Sequence, residues 1–368
     1  MNTTRSIAVN SRKQQSNGKT VQPIGSVIDL FCGVGGLSHG FLKEGYSIEC
    51  GYDIDEDCRY AFEKNNKAPF VRRDISALKG RELNREYRSG TPRILIGCAP
   101  CQPFSSYTQA LDDPKWELLS EFSRLIREAK PDVVSMENVP RLLKFMDGRV
   151  FESFVRKLRR NGYQAAWKVL YCPDFGIPQS RSRLVLIASR HGLPELPTPT
   201  HRPESYRTVR SAIGSMPPIG DGEAHPRDRL HRASALSEKN RARIRESRPG
   251  GSWREWSKGL VTPCHRKISG KGYSSVYGRM VWDEPAPTMT TQFFGFGNGR
   301  FGHPEQHRAL SLREGAILQT FPKRYAFVEP GTPVHFTTVG RMIGNAVPVG
   351  LARAIARSIK GHLVDAGL

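Results

Sequence analysis

A few side chains in this sequence have the types and spacings that chemistry needs. GCAPCQPFS (97–105) carries Cys98 and Cys101 as C-x-x-C. That spacing can mean a redox dithiol, half of a zinc site, or one working thiol with a bystander. A redox pair opens a helix whose N-terminus lowers the first thiol's pKa. Here Cys98 ends an apolar run and Pro103 follows Gln102, which disfavours a helix start. A structural zinc needs four ligands; there is no second C-x-x-C, and Cys264-His265 stands isolated. Cys98 therefore reads as a small, buried packing residue, and Cys101, on a turn between Pro100 and Pro103, as one exposed thiol. MENVP (136–140) sets Glu137 at the end of the following apolar run. A carboxylate there can cap a helix, but beside a candidate nucleophile it points to a chemical role. QSRSR (179–183) puts Arg181 and Arg183 two apart at the entry to a strand, so both project to one face. Standing alone they would be two solvated arginines.

A second group suits a ligand. DLFCGVGGLSHGF (29–41) is a strand running into a glycine turn and a helix. Gly33, Gly35 and Gly36 let a ligand approach the backbone, and the helix N-terminus offers unpaired N–H groups. Asp53, twenty residues beyond Gly33 in GYDID, ends the next strand, where an acid can take both ribose hydroxyls. The third glycine of G-x-G-x-x-G is replaced by Ser38, which favours an adenosine-containing cofactor other than a dinucleotide. Asp74, in RRDIS, follows the third strand at the same edge, within reach of an adenine amino group. Strand, glycines and acid together outweigh a plain strand–helix turn.

These residues need a scaffold. From Ser26 onward, strands (VIDLF, SIECGYD, PFVRRD, RILIGC, DVVSMEN) alternate with helices (GLSHGFLKEG, Asp55 to Asn66, 115–129, 149–162), and YQAAWKVLY and RLVLIAS close the series. Short apolar runs between amphipathic helices imply an α/β fold, a parallel, doubly wound sheet with helices on both faces. Ligands then bind at the carboxyl edge, where Asp53, Cys101 and Glu137 all fall. After about Arg190 the texture changes: residues 190–279 hold 18 Lys and Arg against 8 Asp and Glu, with frequent Pro and Gly. The chain divides into a basic, disordered arm (1–24), a catalytic and cofactor-binding domain (25–189 with 335–368), and a loop-rich basic domain (190–334). Near the end, 339–363 reads as a loop followed by a long amphipathic helix.

Bulk properties narrow the class. The net charge of +21 in 368 residues calls for a polyanionic partner, nucleic acid in the usual case. No basic amphipathic anchor or long apolar run supports a membrane. Seven cysteines, an odd number, and no signal peptide point to a reducing cytoplasm.

In this order, DLFCGVGG, GYDID, RDIS, GCAPCQPFS, MENV, QSRSR and IGNAVP resemble the signature motifs of the DNA (cytosine-5)-methyltransferases, particularly the small bacterial enzymes. The resemblance runs from about 26 to 360, broken by the basic segment, where that family carries its target-recognition domain. RALSLREGAILQTFP (308–322) is similar to the motif that follows that domain, with Gly315 where the family usually has Ala.

The resemblance implies S-adenosylmethionine as cofactor on a Rossmann-like doubly wound sheet. Phe31, Gly33, Gly35, Gly36 and Leu37 would line it, with Pro100 beside it and Asp53 on its ribose. Ile54, where many relatives carry a larger aromatic, would hold the adenine with Asp74 and Ile75, and Asn345 and Val347 would close the pocket. Cys101 would add to C6 of cytosine, because C5 alone is too weak a nucleophile to take a methyl group. Glu137 would stabilise N3 and Arg183 would hold O2, with Arg181 supporting the loop or Glu137. The target atom is inaccessible in a stacked duplex, so the base must be flipped out. The loop from Gln102 to about Lys115 would close over it, and the arginines of 190–279 would contact phosphates and guanine edges.

The function implied is methylation of double-stranded DNA at cytosine C5, by a monomer in a restriction-modification system with a possible cognate endonuclease, or by an orphan methylase. Two alternatives remain: a tRNA cytosine-5 methyltransferase sharing the core motifs, and a catalytically silent DNA-binding relative. The basic recognition segment and the absent Cys-Phe-Thr signature of the RNA type favour DNA. Intact Cys101, Glu137 and Arg183 argue for catalysis.

Overall fold

The structure, a computed structural model, describes residues 22–100 and 114–368. Most of the N-terminal arm, Cys101 and the loop 102–113 lie outside the described residues. The first seven longer or sheet-forming strands are β1 (Ser26–Leu30), β2 (Ser47–Asp53), β3 (Phe70–Arg72), β4 (Arg93–Gly97), β5 (Val133–Asn138), β6 (Gln164–Tyr171) and, after the two-residue β7 (Gln179–Ser180), β8 (Ser182–Ser189). The main sheet has seven strands in the order β3-β2-β1-β4-β5-β8-β6. Between them run α1 (Gly36–Lys43), α2 (Arg59–Asn66), α3 (Gly80–Glu86), α4 (Leu118–Ala129) and α5 (Arg149–Arg160). The strand β1 is covered on both faces, and its alternation shows it. Val27 belongs to one core with Ile94, Ile96 and Val185, while Ile28 and Leu30 belong to another with Leu95, Met136 and Leu186. Phe41 of α1 fills the first; Phe122 of α4 and Phe154 of α5 fill the second.

The sheet is mixed, not wholly parallel as expected: β8 is antiparallel to both β5 and β6. Its link from β6 spans 172–181 without a crossover helix, too short to return the chain for a parallel strand. This reversal positions the site. Because β8 runs backwards, its first residues, Ser182 and Arg183, lie at the carboxyl edge, just before Leu184 and Val185, which pair with Asn138 and Glu137. Among the helices that cover the sheet, one is an addition to the sequence reading. α3 carries little apolar periodicity, with Leu83 its one buried large apolar side chain.

Beyond the sheet come α6 (Val209–Ile213), α7 (Glu238–Glu246), α8 (Pro263–Arg266), α9 (Leu312–Leu318), α10 (Phe336–Asn345) and α11 (Val349–Asp365). α10 occupies the stretch read as a loop. Its glycines hid the helix: a Cβ on Gly340 would lie 2.4 Å from the Phe294 ring, and one on Gly344 2.4 Å from Thr290. They permit close approach of segment 290–294. Leu351, Ile355 and Ile359 of α11 join the first core, as do Phe293, Leu312, Phe321 and Tyr325. Leu236, Ile244, Trp253, Trp256, Phe296 and Ala309 form a separate small core. Among the described residues no helix is long and apolar enough to cross a membrane.

Candidate active site at the carboxyl edge of the sheet

Glu137 is the penultimate residue of β5 and is only 2% exposed. Neighbouring strands meet it on each side. From β8, Arg183 Nε lies 2.9 Å from Oε1. That nitrogen forms no aligned hydrogen bond to the oxygen, so the attraction is mainly Coulombic. From the end of β4, the Cys98 thiol donates to Oε2 at 2.9 Å. Cys98 is half-buried and is not simply packing filler; the expectation that it only packs is corrected by this bond. Asn138, next in the chain, donates from Nδ2 to the Ala99 carbonyl at 3.1 Å, and its Oδ1 accepts the Val139 N–H at 2.8 Å. It therefore fixes the backbone immediately before Pro100. Pro100 is half-buried at this edge, and the expected nucleophile Cys101 follows it outside the described residues.

Arg181 and Arg183 take different partners. Arg181 is buried and donates from Nη1 to the Met289 carbonyl at 3.0 Å. Gln179 accepts the Met289 N–H at 2.9 Å and donates to the Leu318 carbonyl and Gln319. β7 itself pairs with Ala286–Pro287. QSR thus stitches the returning chain to the sheet, while Arg183 alone of the two arginines reaches Glu137.

The cofactor residues surround the end of β1 and β2. Phe31 and Gly33 both have positive φ, 60° and 48°, and the space a Cβ on Gly33 would enter is open. Gly33 N–H donates to Asp53 Oδ2 at 2.8 Å, and Asp55 N–H to Oδ1 at 2.9 Å. Each carboxylate oxygen keeps a second lone pair for a hydroxyl. Burial raises the Asp53 pKa, partly offset by the backbone N–H groups of Gly33 and Ile54 and by Arg341. Ile54, beside it, is 64% exposed, an apolar side chain with room for a flat ring. Asp74 is exposed, and the Ser76 N–H and hydroxyl on Oδ1 lower its pKa. Leu37 and Ile75 are buried in the two cores, with little surface left for a ligand. Gly35 and Gly36 are also required by other parts of the chain. A Cβ on Gly35 would lie 2.1 Å from Asn66 Nδ2, and one on Gly36 2.5 Å from the Val347 carbonyl. Both glycines admit other parts of the chain, Gly36 the Val347 carbonyl, two residues beyond the exposed Asn345. The open space at Gly33, the Asp53 carboxylate and exposed Ile54 fit an adenosine-containing cofactor.

The family described as C-5 cytosine-specific DNA methylase matches residues 25–361. The chain belongs to this family. It is a DNA (cytosine-5)-methyltransferase. It is 54% identical over 341 residues to the Type II methylase M.HgiDII of Herpetosiphon aurantiacus, covering 92% of this chain and 96% of that protein. To the Type II methyltransferase M1.HphI of Haemophilus parahaemolyticus it is 32% identical, covering 90% and 86%. Among solved structures, a prophage-encoded protein of E. coli assigned as a DNA modification methyltransferase superposes with a TM-score of 0.71 at 22% identity, covering 93% of this chain and 99% of that one.

Several residues of this methyltransferase escaped the sequence reading. Asp29, four residues before Gly33, is 1% exposed and accepts the Ser38 hydroxyl at 2.6 Å. Gln319 donates to the carbonyls of Ile343 and Ala346, holding the turn that carries Asn345; a single glutamine in a loop gives no sequence signal. Gly315 has a structural counterpart in Phe293, whose ring lies 2.1 Å from where its Cβ would be. His303 and His307 form an H-x3-H pair. Arg279 faces His307, and the backbone N–H groups of Glu305 and Gln306 donate to His303 Nδ1. Among the described residues no cluster of three or more potential ligands could hold a metal. Some arginines of the basic segment are internal as well. Arg279 donates to the carbonyls of Ile244, Ser247, His303 and Gln306, so the surplus is not all free for DNA.

Proposed function

We propose that this methyltransferase acts through a covalent adduct between Cys101 and C6 of a flipped-out cytosine in duplex DNA, with Glu137 at N3 and Arg183 at O2. The observation that carries the reading is the buried Glu137 carboxylate, held by Arg183 at 2.9 Å at the same edge where Pro100 leads into Cys101. Thiolate attack at C6 makes C5 nucleophilic, and negative charge develops towards N3 and O2. Glu137, protonated or sharing a proton, stabilises that charge at N3 and the Arg183 guanidinium does so at O2, both preorganised in a dry site. After C5 has taken the methyl group, loss of its proton to water and β-elimination release Cys101. Arg181 acts indirectly, through the Met289 segment it anchors.

S-adenosylmethionine, when bound, supplies an electrophilic methyl group. Asp53 would take its ribose hydroxyls, Ile54, Asp74 and the backbone of Ile75 its adenine, and Phe31, Gly33, Pro100 and the backbone of Gly35, Gly36 and Leu37 the remainder. Asn345 and Val347 would seal the pocket from the C-terminal side. Residues 190–334 would read the target sequence, with the small core around Trp253 and Trp256 as the platform for basic loops. Flipping the base costs roughly a few kcal/mol, repaid by phosphate contacts from the +21 chain. The similarity to Type II methylases favours a protective role in a restriction-modification system, beside a cognate endonuclease. We place the enzyme in the bacterial cytoplasm as a monomer. Incubation with mixed-sequence duplex DNA and labelled S-adenosylmethionine tests the reading: label should appear in 5-methylcytosine. Label found only in tRNA, or in no nucleic acid, would overturn it.

A further inference from the structure

Glu137 stands on the middle one of three adjacent strands, β4, β5 and β8, and side chains from both outer strands reach it. The Arg183 contact pairs its charge. The contact with Cys98 Sγ, 2.9 Å from Oε2, has no place in the chemistry described so far. Its position is set by the sheet: Cys98 follows Gly97, the last residue of β4, and its backbone N–H donates to the Leu30 carbonyl at 3.4 Å. A carboxylate buried this deeply needs donors on its oxygens. Arg183 lacks an aligned N–H towards Oε1, so the thiol supplies the directional bond that fixes the plane of the carboxyl group.

We propose that Cys98 is a positioning residue for Glu137, its S–H holding Oε2 in the orientation that meets N3 of the flipped cytosine; this rests on the role given to Glu137 above. The chemistry of a thiol suits that task. It donates one hydrogen bond and accepts weakly, so Oε2 is kept as an acceptor. As a weak donor it yields readily, and Oε2 retains a second lone pair that can carry the proton shared with N3 of the incoming base. The C-x-x-C then has two functions three residues apart: Cys101 attacks the base, and Cys98 aims the carboxyl group that stabilises the attacked ring.

The test compares C98A and C98S of the full chain, alone and combined with E137Q, using labelled S-adenosylmethionine and substrate duplex at saturation. C98A should lower kcat about 10-fold, the loss of roughly one hydrogen bond to a charged group, with KM for both substrates unchanged. C98S retains a donor and should stay within about 3-fold of wild type, although a hydroxyl suits a packing site less than a methyl group does. In the E137Q background C98A should have no further effect, because its influence passes through the carboxylate. Thermal melts establish folding, and C98V replaces C98A if the latter does not melt cooperatively. Equal kcat for C98A and C98S, or an undiminished C98A loss in E137Q, overturns the role of Cys98 alone. E137Q with wild-type kcat removes the role of Glu137, and that of Cys98 with it.

Discussion

Replacing Asp29 by Asn should make the enzyme's stability less sensitive to alkaline pH. Asp29 lies beneath the glycine turn, 1% exposed. Burial raises its pKa from 3.8 to about 7, opposed by the Ser38 hydroxyl and reinforced by the charge of Asp53. Its Oδ1 has no hydrogen-bond partner among the described residues. A folded-state pKa above the unfolded value means that the folded protein binds the proton more tightly. The stability this contributes is fully present below pH 3.8 and is lost as pH rises through about 7. Three pKa units at about 1.4 kcal/mol each set the whole effect at about 4 kcal/mol. Roughly 3 kcal/mol of it falls between pH 5 and pH 8. In D29N the amide oxygen still accepts from Ser38, and nothing at this position ionises. Urea unfolding of wild type and D29N, followed by far-UV circular dichroism at pH 5, 6.5 and 8, measures the difference. Subtracting the two curves cancels His39 and His303, whose pKa values burial lowers to about 4 in both proteins. The advantage of D29N over wild type should grow by about 3 kcal/mol from pH 5 to pH 8. An advantage that stays flat across this range refutes the reasoning.

E137Q keeps the shape of the carboxyl group but removes its charge beside Arg183. Methyl transfer should fall by roughly 10²- to 10³-fold in kcat, with duplex affinity by gel shift almost unchanged. G36A places a methyl group 2.5 Å from the Val347 carbonyl, and backbone must move. Overpacking of this kind costs about 1–3 kcal/mol, and steady-state kinetics should show a higher KM for S-adenosylmethionine with KM for DNA preserved. E314Q breaks a buried pair in which Arg308 contacts Glu314 at 2.7 Å, and should destabilise urea unfolding at pH 7 by about 3–5 kcal/mol. Burial alone would raise Glu314, but the Arg308 hydrogen bonds and charge more than reverse this and bring its pKa to about 2. Since the folded value is depressed, that stability is present above pH 4.5 and should drain away between pH 4.5 and about 2 in acid titrations of the wild type.

Much of the fold was legible because strands β1 to β5 carry apolar runs whose alternate residues feed two cores. The direction of β8 was not, since RLVLIAS has the same apolar composition whichever way it runs; the short link from Tyr171 decides it. α10 was hidden for a local reason, as Gly340 and Gly344 are poor helix formers that are required by contact with segment 290–294. At the site, Glu137, Arg183 and Asp53 were legible because each falls at a strand end where the sheet gathers its ligands. The bond from Cys98 to Glu137 was not, because it joins residues 39 positions apart, and only the pairing of β4 with β5 brings them together. Gly35 and Gly36 were recognised as necessary, but this further reason for them was not readable, since the groups that require them, Asn66 and Val347, lie elsewhere in the chain.

The central claim is that Cys101 forms a bond to the target base, and one measurement addresses it directly. A duplex carrying 5-fluorocytosine at the methylated position, incubated with the enzyme and S-adenosylmethionine, should yield a complex that survives denaturing electrophoresis, because fluorine at C5 blocks the elimination that frees the thiol. Peptide mass spectrometry should place the crosslink on Cys101, and C101A should give no adduct. An adduct on another residue, or one that persists in C101A, would contradict the account.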